Sequence, residues 1–209
     1  MNVLCFSDLH CDQAAATLLV EQARTADLVI GAGDFANRHQ GISDTLDILR
    51  QIEAPSILVP GNGETAEELK QAVQDATWKS ATVLHGNGTT VSASTDDDAT
   101  EYPVWGVGGG IPITPFGAWS YDFDEQQGEA MLADCPHNGI LVVHSPPIDT
   151  VDHDSAGKVR GSQSILDCVK RCQPKLVVCG HIHSDWGKQM KVGPTTILNA
   201  GPKGIWMTL

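Results

Sequence analysis

The main apolar runs of this chain each lead into polar side chains able to hold a metal. Residues 3–7 run into Asp8 and His10. Residues 28–31 lead to Asp34, residues 56–60 to Asn62, and residues 140–144 end on His144 itself. Residues 175–179 pass through Gly180 to His181 and His183. These runs are short, continuous and bounded by turn residues, the pattern of buried strands. Residues 195–199 form another such run. Amphipathic helical patterns lie between them. Ile42, Leu46, Leu49 and Ile52 share one helical face, as do Leu69, Ala72, Val73 and Ala76, and then Ile165, Leu166, Val169 and Cys172. Thr65-Ala-Glu-Glu68 reads as a capping box that opens the second of these helices.

The centre of the chain is different. Residues 82–84, 89–93 and 103–107 look like hairpin-type strands. They are separated by His85-Gly-Asn-Gly88 and by Thr95-Asp-Asp-Asp-Ala-Thr100, whose aspartates read as a solvated turn. Residues 204–209 suggest a final strand. A βαβαβ first half, a β-rich centre and an αβ return predict an α/β fold: a four-layer α-β-β-α sandwich of two mixed β-sheets flanked by helices. With 209 residues, 41% hydrophobic, the expectation is a single domain over 1–209.

The apolar runs reach only about five residues, against the ~18 that a membrane span needs. The first residues carry no basic segment, so a secretory signal is not expected and the predicted location is cytoplasmic. The six cysteines, at 5, 11, 135, 168, 172 and 179, then read as reduced thiols. Cys168 and Cys172 share a helical face. No second Cys/His pair at zinc-finger spacing accompanies them, so core packing is expected.

Charge narrows the partners. Thirteen Lys and Arg against 26 Asp and Glu give −13. A long nucleic acid or an anionic membrane needs clustered basic residues, and both are disfavoured. A small phosphorylated substrate is not, because bound metal can supply local positive charge.

In α/β sheets, ligand sites assemble at the carboxyl ends of strands. Asp8, His10, Asp34, Asn62, His144, His181 and His183 are all delivered there. Singly, each has a plainer role. Asp8 or Asp12 would serve as a helix cap, Asp34 would bond its own loop, and Asn62 would sit in a left-handed turn. Together they point to metal. Asp8-x-His10 and His181-x-His183 are i, i+2 pairs, which on an extended segment face the same way. Mixed imidazole and oxygen donors suit Mn, Fe or Zn better than Ca or Mg.

The ordered motifs Asp8-x-His10, Gly33-Asp34, Gly61-Asn62, His144 and Gly180-His181-x-His183 resemble those of calcineurin-like metallophosphoesterases. The resemblance runs from residue 3 to the Leu198-Asn-Ala-Gly201 segment. The context from His144-Ser-Pro-Pro147 through Gly161-Ser162 is similar to small prokaryotic phosphoesterases related to the cyclic-nucleotide phosphodiesterase branch. The resemblance implies two divalent ions, manganese being the first choice in vitro. Asp8, His10, Asp34 and His183 would hold one; Asp34, Asn62, His144 and His181 would hold the other, with Asp34 bridging. It also implies in-line attack on phosphorus by a hydroxide between the metals, with no protein nucleophile.

One position departs from the pattern. The histidine that follows the ligand asparagine in most of the family, and that assists the leaving oxygen, is Gly63 here, while Glu64 remains. His39 is then a candidate stand-in, or else an exposed loop histidine, and Arg38 is either a phosphate clamp, whose fork fits phosphate oxygens, or a surface arginine. The loop from Gly108 to Tyr121 opens on three consecutive glycines, 108–110, suited to close backbone approach. Its Phe116, Trp119 and Tyr121 either pack the loop onto the core or offer a stacking face to a base or aryl group. His153, Lys158 and Arg160 lie on a second polar loop between metal motifs. The expected activity is metal-dependent hydrolysis of a small phosphoester, nucleotide-like ones included, with diesters ahead of monoesters. The alternative is a catalytically weak, metal-loaded nucleotide-binding or sensor module, which Gly63 would favour.

Overall fold

The computed structural model describes residues 1–95 and 98–209. Asp96 and Asp97 of the expected solvated turn lie outside the described residues. Strands β1 (Asn2–Phe6), β2 (Leu28–Ala32), β3 (Ser56–Val59) and β4 (Ala81–Val83) run parallel, and β11 (Ile205–Thr208) joins antiparallel to β1. The order of this first sheet is β11-β1-β2-β3-β4. The second sheet has the order β5-β6-β7-β8-β10-β9. It comprises the hairpin β5 (Asn87–Thr95) and β6 (Asp98–Val107), then β7 (Ile140–Val143), β8 (Leu176–Cys179), β10 (Thr195–Asn199) and β9 (Gln189–Val192).

Side-chain alternation builds the layers. Leu4 and Phe6 face outward from the first sheet, where they pack with residues of α1 (Gln13–Gln22), α2 (Ile42–Leu49) and α3 (Ala66–Asp75). Val3 and Cys5 point the other way, into a layer shared with Val104, Ile140, Val142, Leu176 and Val178 of the second sheet. Leu141, Val143 and Val177 face outward again, onto α4 (Glu125–Leu132) and α5 (Gln163–Cys172). Strands buried on both faces lose the polar half of the alternation, which is why the runs read as continuous in sequence. Each fully buried Val, Leu or Ile contributes roughly 1.5–3 kcal/mol through its removal from water.

The expected sandwich of two mixed sheets is therefore the observed one. Three details differ from the sequence reading. Strand β4 pairs parallel with β3 instead of entering a hairpin. Helix α4 and strand β9 form on sequence patterns too weak to mark them as elements. Helix ends follow their chemistry. Asp12 caps α1, accepting from the backbone N–H of Ala14 and Ala15 at 3.0 Å. Thr65 and Glu68 form the capping box of α3. Among the described residues no helix is long and apolar enough to cross a membrane.

Candidate metal centre

The parallel strands β1, β2, β3, β7 and β8 end on loops that converge on one site. The turns there are tight enough to force left-handed backbone. Asp8, His10, Asp34 and His181 have φ of 54°, 45°, 58° and 67°. Such conformations cost of order 1–3 kcal/mol each and concentrate at functional sites. The i, i+2 pairs therefore do not act through an extended segment, as the spacing suggests. His181 lies in a left-handed turn and His183 opens a short 3-10 turn, His183–Asp185. Their rings go to different neighbours.

Two donor groups result. In the first, His10 Nε2 stands 3.1 Å from His183 Nε2, and His183 Nε2 is 3.8 Å from Asp8 Oδ1. In the second, Asn62 Oδ1 lies 3.1 Å from His144 Nε2 and 2.9 Å from His181 Nδ1. Asp34 spans them: its Oδ2 is 3.5 Å from His10 Nε2 and its Oδ1 is 3.5 Å from His144 Nε2. All seven sequence-predicted ligands are thus brought together.

Their orientations are fixed by outer partners. His144 Nδ1 donates to the Ala32 carbonyl at 2.8 Å, which turns Nε2 inward. The Asn62 amide donates to Ser120 Oγ at 3.0 Å, which turns Oδ1 inward. Asp8 Oδ2 accepts from Ser7 Oγ and from Trp186 Nε1, while its Oδ1 accepts from the His181 backbone. Glu64 is wholly buried and accepts from the N–H groups of Ala36 and Gly61, so it ties the loop after β2 to the loop after β3. Packing leaves no room for side chains at two glycines: a β-carbon on Gly61 would run into the Asp34 carboxylate, and one on Gly180 would meet Asp8 Oδ2 at 2.5 Å. Trp186, Ser120 and Ser7 carry no motif signal in the sequence.

The electrostatics separate the histidines. Burial, with the neighbouring His144 charge, pushes His181 down to about 3, so it presents a neutral ring. Burial also lowers His183. At His144 burial works in the same direction, but the charge and hydrogen bond of Asp34 outweigh it and push the ring up to about 9. Asp34 is correspondingly held below the usual carboxylate range: burial opposes this, and His144, then His10 and the Gly63 N–H, prevail. Burial, with the Asp34 charge beside it, pushes Glu64 up to about 7. A divalent cation fits this donor set. Imidazole nitrogens and carboxylate and amide oxygens converge with no lysine or arginine among them, and a bridging carboxylate faces both groups.

Five of these side chains, His10, Asp34, Asn62, His181 and His183, open onto a cleft of about 1000 Å³. One wall is aromatic: Phe116 and Trp119 stack with centroids 5.7 Å apart, and Phe116 meets His181 edge-on. The Arg38 guanidinium lies 5.0 Å over the Trp119 ring and lines the cleft. Arg160 lines it as well, bonded to Asp154 at 2.8 Å. Tyr121 packs instead against His85 and Phe123. Gly108 and Gly110 accommodate Pro60 and Asp122, not a ligand.

His39 is placed differently from the expectation. Its Nδ1 bonds Glu68 Oε2 at 2.7 Å, its Nε2 bonds the Trp119 carbonyl at 2.5 Å, and it does not line the cleft. Both ring nitrogens face acceptors, which favours the protonated ring, and it joins the loop after β2 to α3 and the aromatic loop. In this placement neither ring nitrogen is directed at the cleft. His153 sits beside Asp152 and Asp185, outside the cleft lining.

The sandwich and this donor set define a protein with a metal-competent centre at the floor of an open cleft. The chain belongs to the calcineurin-like phosphoesterase family, whose match covers residues 1–185. It is similar to the UPF0046 protein K07C11.7 of Caenorhabditis elegans, with 27% identity over 218 residues, 96% of this chain and 69% of that protein. Its fold resembles TT1561 of Thermus thermophilus, at 20% identity and a TM-score of 0.74 over 97% of this chain and 90% of that one. It also resembles a dimetal phosphatase from Danio rerio, at 13% identity and a TM-score of 0.59, covering 97% and 88% of the two chains.

Proposed function

We propose that the protein is a dinuclear metal-dependent phosphoesterase acting on small phosphoesters, with phosphodiesters preferred. The observation that carries this reading is the Asp34 carboxylate set between two donor groups, one oxygen toward each. Asp8, His10, Asp34 and His183 would hold one ion and Asp34, Asn62, His144 and His181 the other, with manganese, iron or zinc suited to the donors. When bound, such a pair supplies Lewis acidity toward a phosphoryl oxygen and lowers the pKa of a water toward neutrality.

The chain's own residues do the rest. Arg38, over Trp119 at the cleft wall, offers its fork to a phosphate oxygen. Phe116 and Trp119 present a flat apolar face to the organic part of the substrate, which suits a base or aryl group. Gly63 puts no proton donor beside Asn62, and Glu125 at the rim is taken up by Ser162, Gln163 and Ser164. Leaving oxygens that need little protonation are therefore favoured. An acidic chain with few cations around the cleft also favours small substrates over long polyanions.

Gly63 equally supports a second reading, a metal-loaded module that binds a nucleotide and turns it over poorly. Assaying the Mn²⁺-loaded protein on bis-p-nitrophenyl phosphate separates the two. Turnover well above background supports the enzyme. Full metal content with no turnover supports the module.

A further inference from the structure

A second cluster of metal-competent groups lies away from the cleft, between the second sheet and helices α4 and α5. Cys135, in the segment following α4, comes to the inner face of α5, where Cys168 and Cys172 sit one turn apart. The three thiols are nearly inaccessible, at 6%, 2% and 0% exposure. Their sulfurs all lie within 4.8 Å of one another, and Cys168 Sγ and Cys172 Sγ are 4.0 Å apart. Three sulfurs each ~2.3 Å from a common centre stand ~4.0 Å apart in a planar trigonal arrangement. No other His, Cys, Asp or Glu joins the group among the described residues. A tetrahedral ion would lack its fourth protein ligand.

We propose that Cys135, Cys168 and Cys172 form a binding site for one soft monovalent ion, copper(I), held by three thiolates. Thiolate sulfur selects such an ion over the harder cations suited to the imidazole and oxygen cleft. Binding displaces thiol protons to solvent and involves no electron transfer. Cys168 is the readiest thiolate: the Cys135 thiol hydrogen-bonds it and, against the effect of burial, with Cys172 and the Arg171 charge helping, holds it down to about 7. The same bond to Cys168, with burial, raises Cys135, and burial raises Cys172, so the ion itself must displace those two protons. Arg171 donates to the carbonyls of Leu132 and Ala133 at 2.7 and 2.9 Å. It thereby pins the segment leading to Cys135 and puts a positive charge beside the sulfurs. An entry path exists as well: a cleft of about 440 Å³ reaches Cys168 and Arg171 and is lined by Glu125, Glu129 and Asp167, which attract a cation.

The test is copper K-edge absorption of the wild-type chain carrying one equivalent of Cu(I) under anaerobic conditions. The expected result is a shell of three sulfurs with no nitrogen. A shell containing nitrogen, or only two sulfurs, overturns the proposal, because the cleft would supply imidazole and a chance pair of thiols would supply two. Competition with a chromophoric Cu(I) chelator adds the assignment. Cys135→Ala should weaken Cu(I) binding by about 100-fold or more, at least the upper end of what losing a supporting group costs. Cys11→Ser should leave it unchanged. Cys135→Ser preserves the volume of the core. If that variant melts as the wild type does and binds Cu(I) equally well, the site does not exist. If both Cys135 variants fail to fold, the wild-type spectrum alone decides.

Discussion

The indole N–H of Trp186 donates to Asp8 Oδ2 at 3.0 Å, joining the turn after β8 to the loop after β1. It leaves Asp8 Oδ1 directed at His183 and the His181 backbone. Partners of this kind typically contribute 10- to 100-fold to metal affinity. Trp186→Phe keeps the ring and removes the bond. Calorimetric Mn²⁺ titration should show affinity falling by roughly 10-fold or more with the melting temperature little changed. An unaltered isotherm would show that Asp8 needs no such support.

Arg38 and Trp119 should separate binding of the phosphate from binding of the organic group. Arg38→Ala removes charge-assisted bonds, so kcat/KM should fall roughly 10- to 100-fold on every substrate. Trp119→Ala should raise KM for aryl or nucleotide-like esters and spare methyl esters. Steady-state kinetics on both series check this, and a uniform loss in the Trp119 variant would remove its role in recognition.

Glu64 is a brace, and its loss should appear in stability. Glu64→Ala leaves the buried N–H groups of Ala36 and Gly61 without acceptors, at a cost of about 1–3 kcal/mol each. The melting temperature should drop by on the order of 10 °C, as expected for several kcal/mol in a domain of this size. Glu64→Gln retains an acceptor and should lose less. Thermal denaturation of the two variants measures the difference.

The His39–Glu68 pair predicts a pH signature. The Glu68 bond, opposed by burial and aided by the Trp119 carbonyl, raises His39 above its ordinary 6.5. Stability from a raised histidine is fully present below 6.5 and fades as pH rises through the folded value. Glu68 is lowered from 4.5, since the Thr65 N–H and His39 outweigh burial. Its contribution is present above 4.5 and is lost as pH falls through the folded value. Between 4.5 and 6.5 both act. The stability gap between wild type and His39→Gln, read from urea midpoints, should be widest there and narrow toward pH 9. A gap independent of pH would contradict the ion pair.

Much of this is legible in the residues. Buried parallel strands leave unbroken apolar runs, and their ends must turn, so Asp8, Asp34, Asn62, His144 and His181 announce themselves by position. The capping box at Thr65 and Glu68 is equally plain. What escapes is whatever depends on contacts distant in sequence. Trp186 and Ser120 carry no motif, and they matter only because the fold sets them against Asp8 and Asn62. Cys135 reaches Cys168 only through the packing of α4 on α5. His39 lies near Asp34 in sequence, yet the left-handed backbone at Arg38 and His39 turns its ring to Glu68 and Trp119 instead of into the cleft. The aromatic loop divides for the same reason: Phe116 and Trp119 face the cleft, while Tyr121 turns to His85 and Phe123.

Gly63 stands where the motif resemblance implies a histidine. It lines the cleft, and a β-carbon there would stand 3.1 Å from both the Ala36 carbonyl and Asp34 Oδ1, so a side chain needs these neighbours to give by a few tenths of an ångström. Gly63→His should raise turnover on alkyl esters, where an acid typically contributes 10²- to 10⁴-fold, and change aryl esters little. Equal effects on both would argue that the imidazole acts on binding alone.

A pair of ions sharing Asp34 should be countable. Metal analysis of the Mn²⁺-reloaded chain, with bis-p-nitrophenyl phosphate hydrolysis on the same sample, should find two Mn per chain, turnover that chelation abolishes, and loss of both ions and turnover in Asp34→Ala. One ion per chain, or two ions and undiminished turnover in Asp34→Ala, would contradict it.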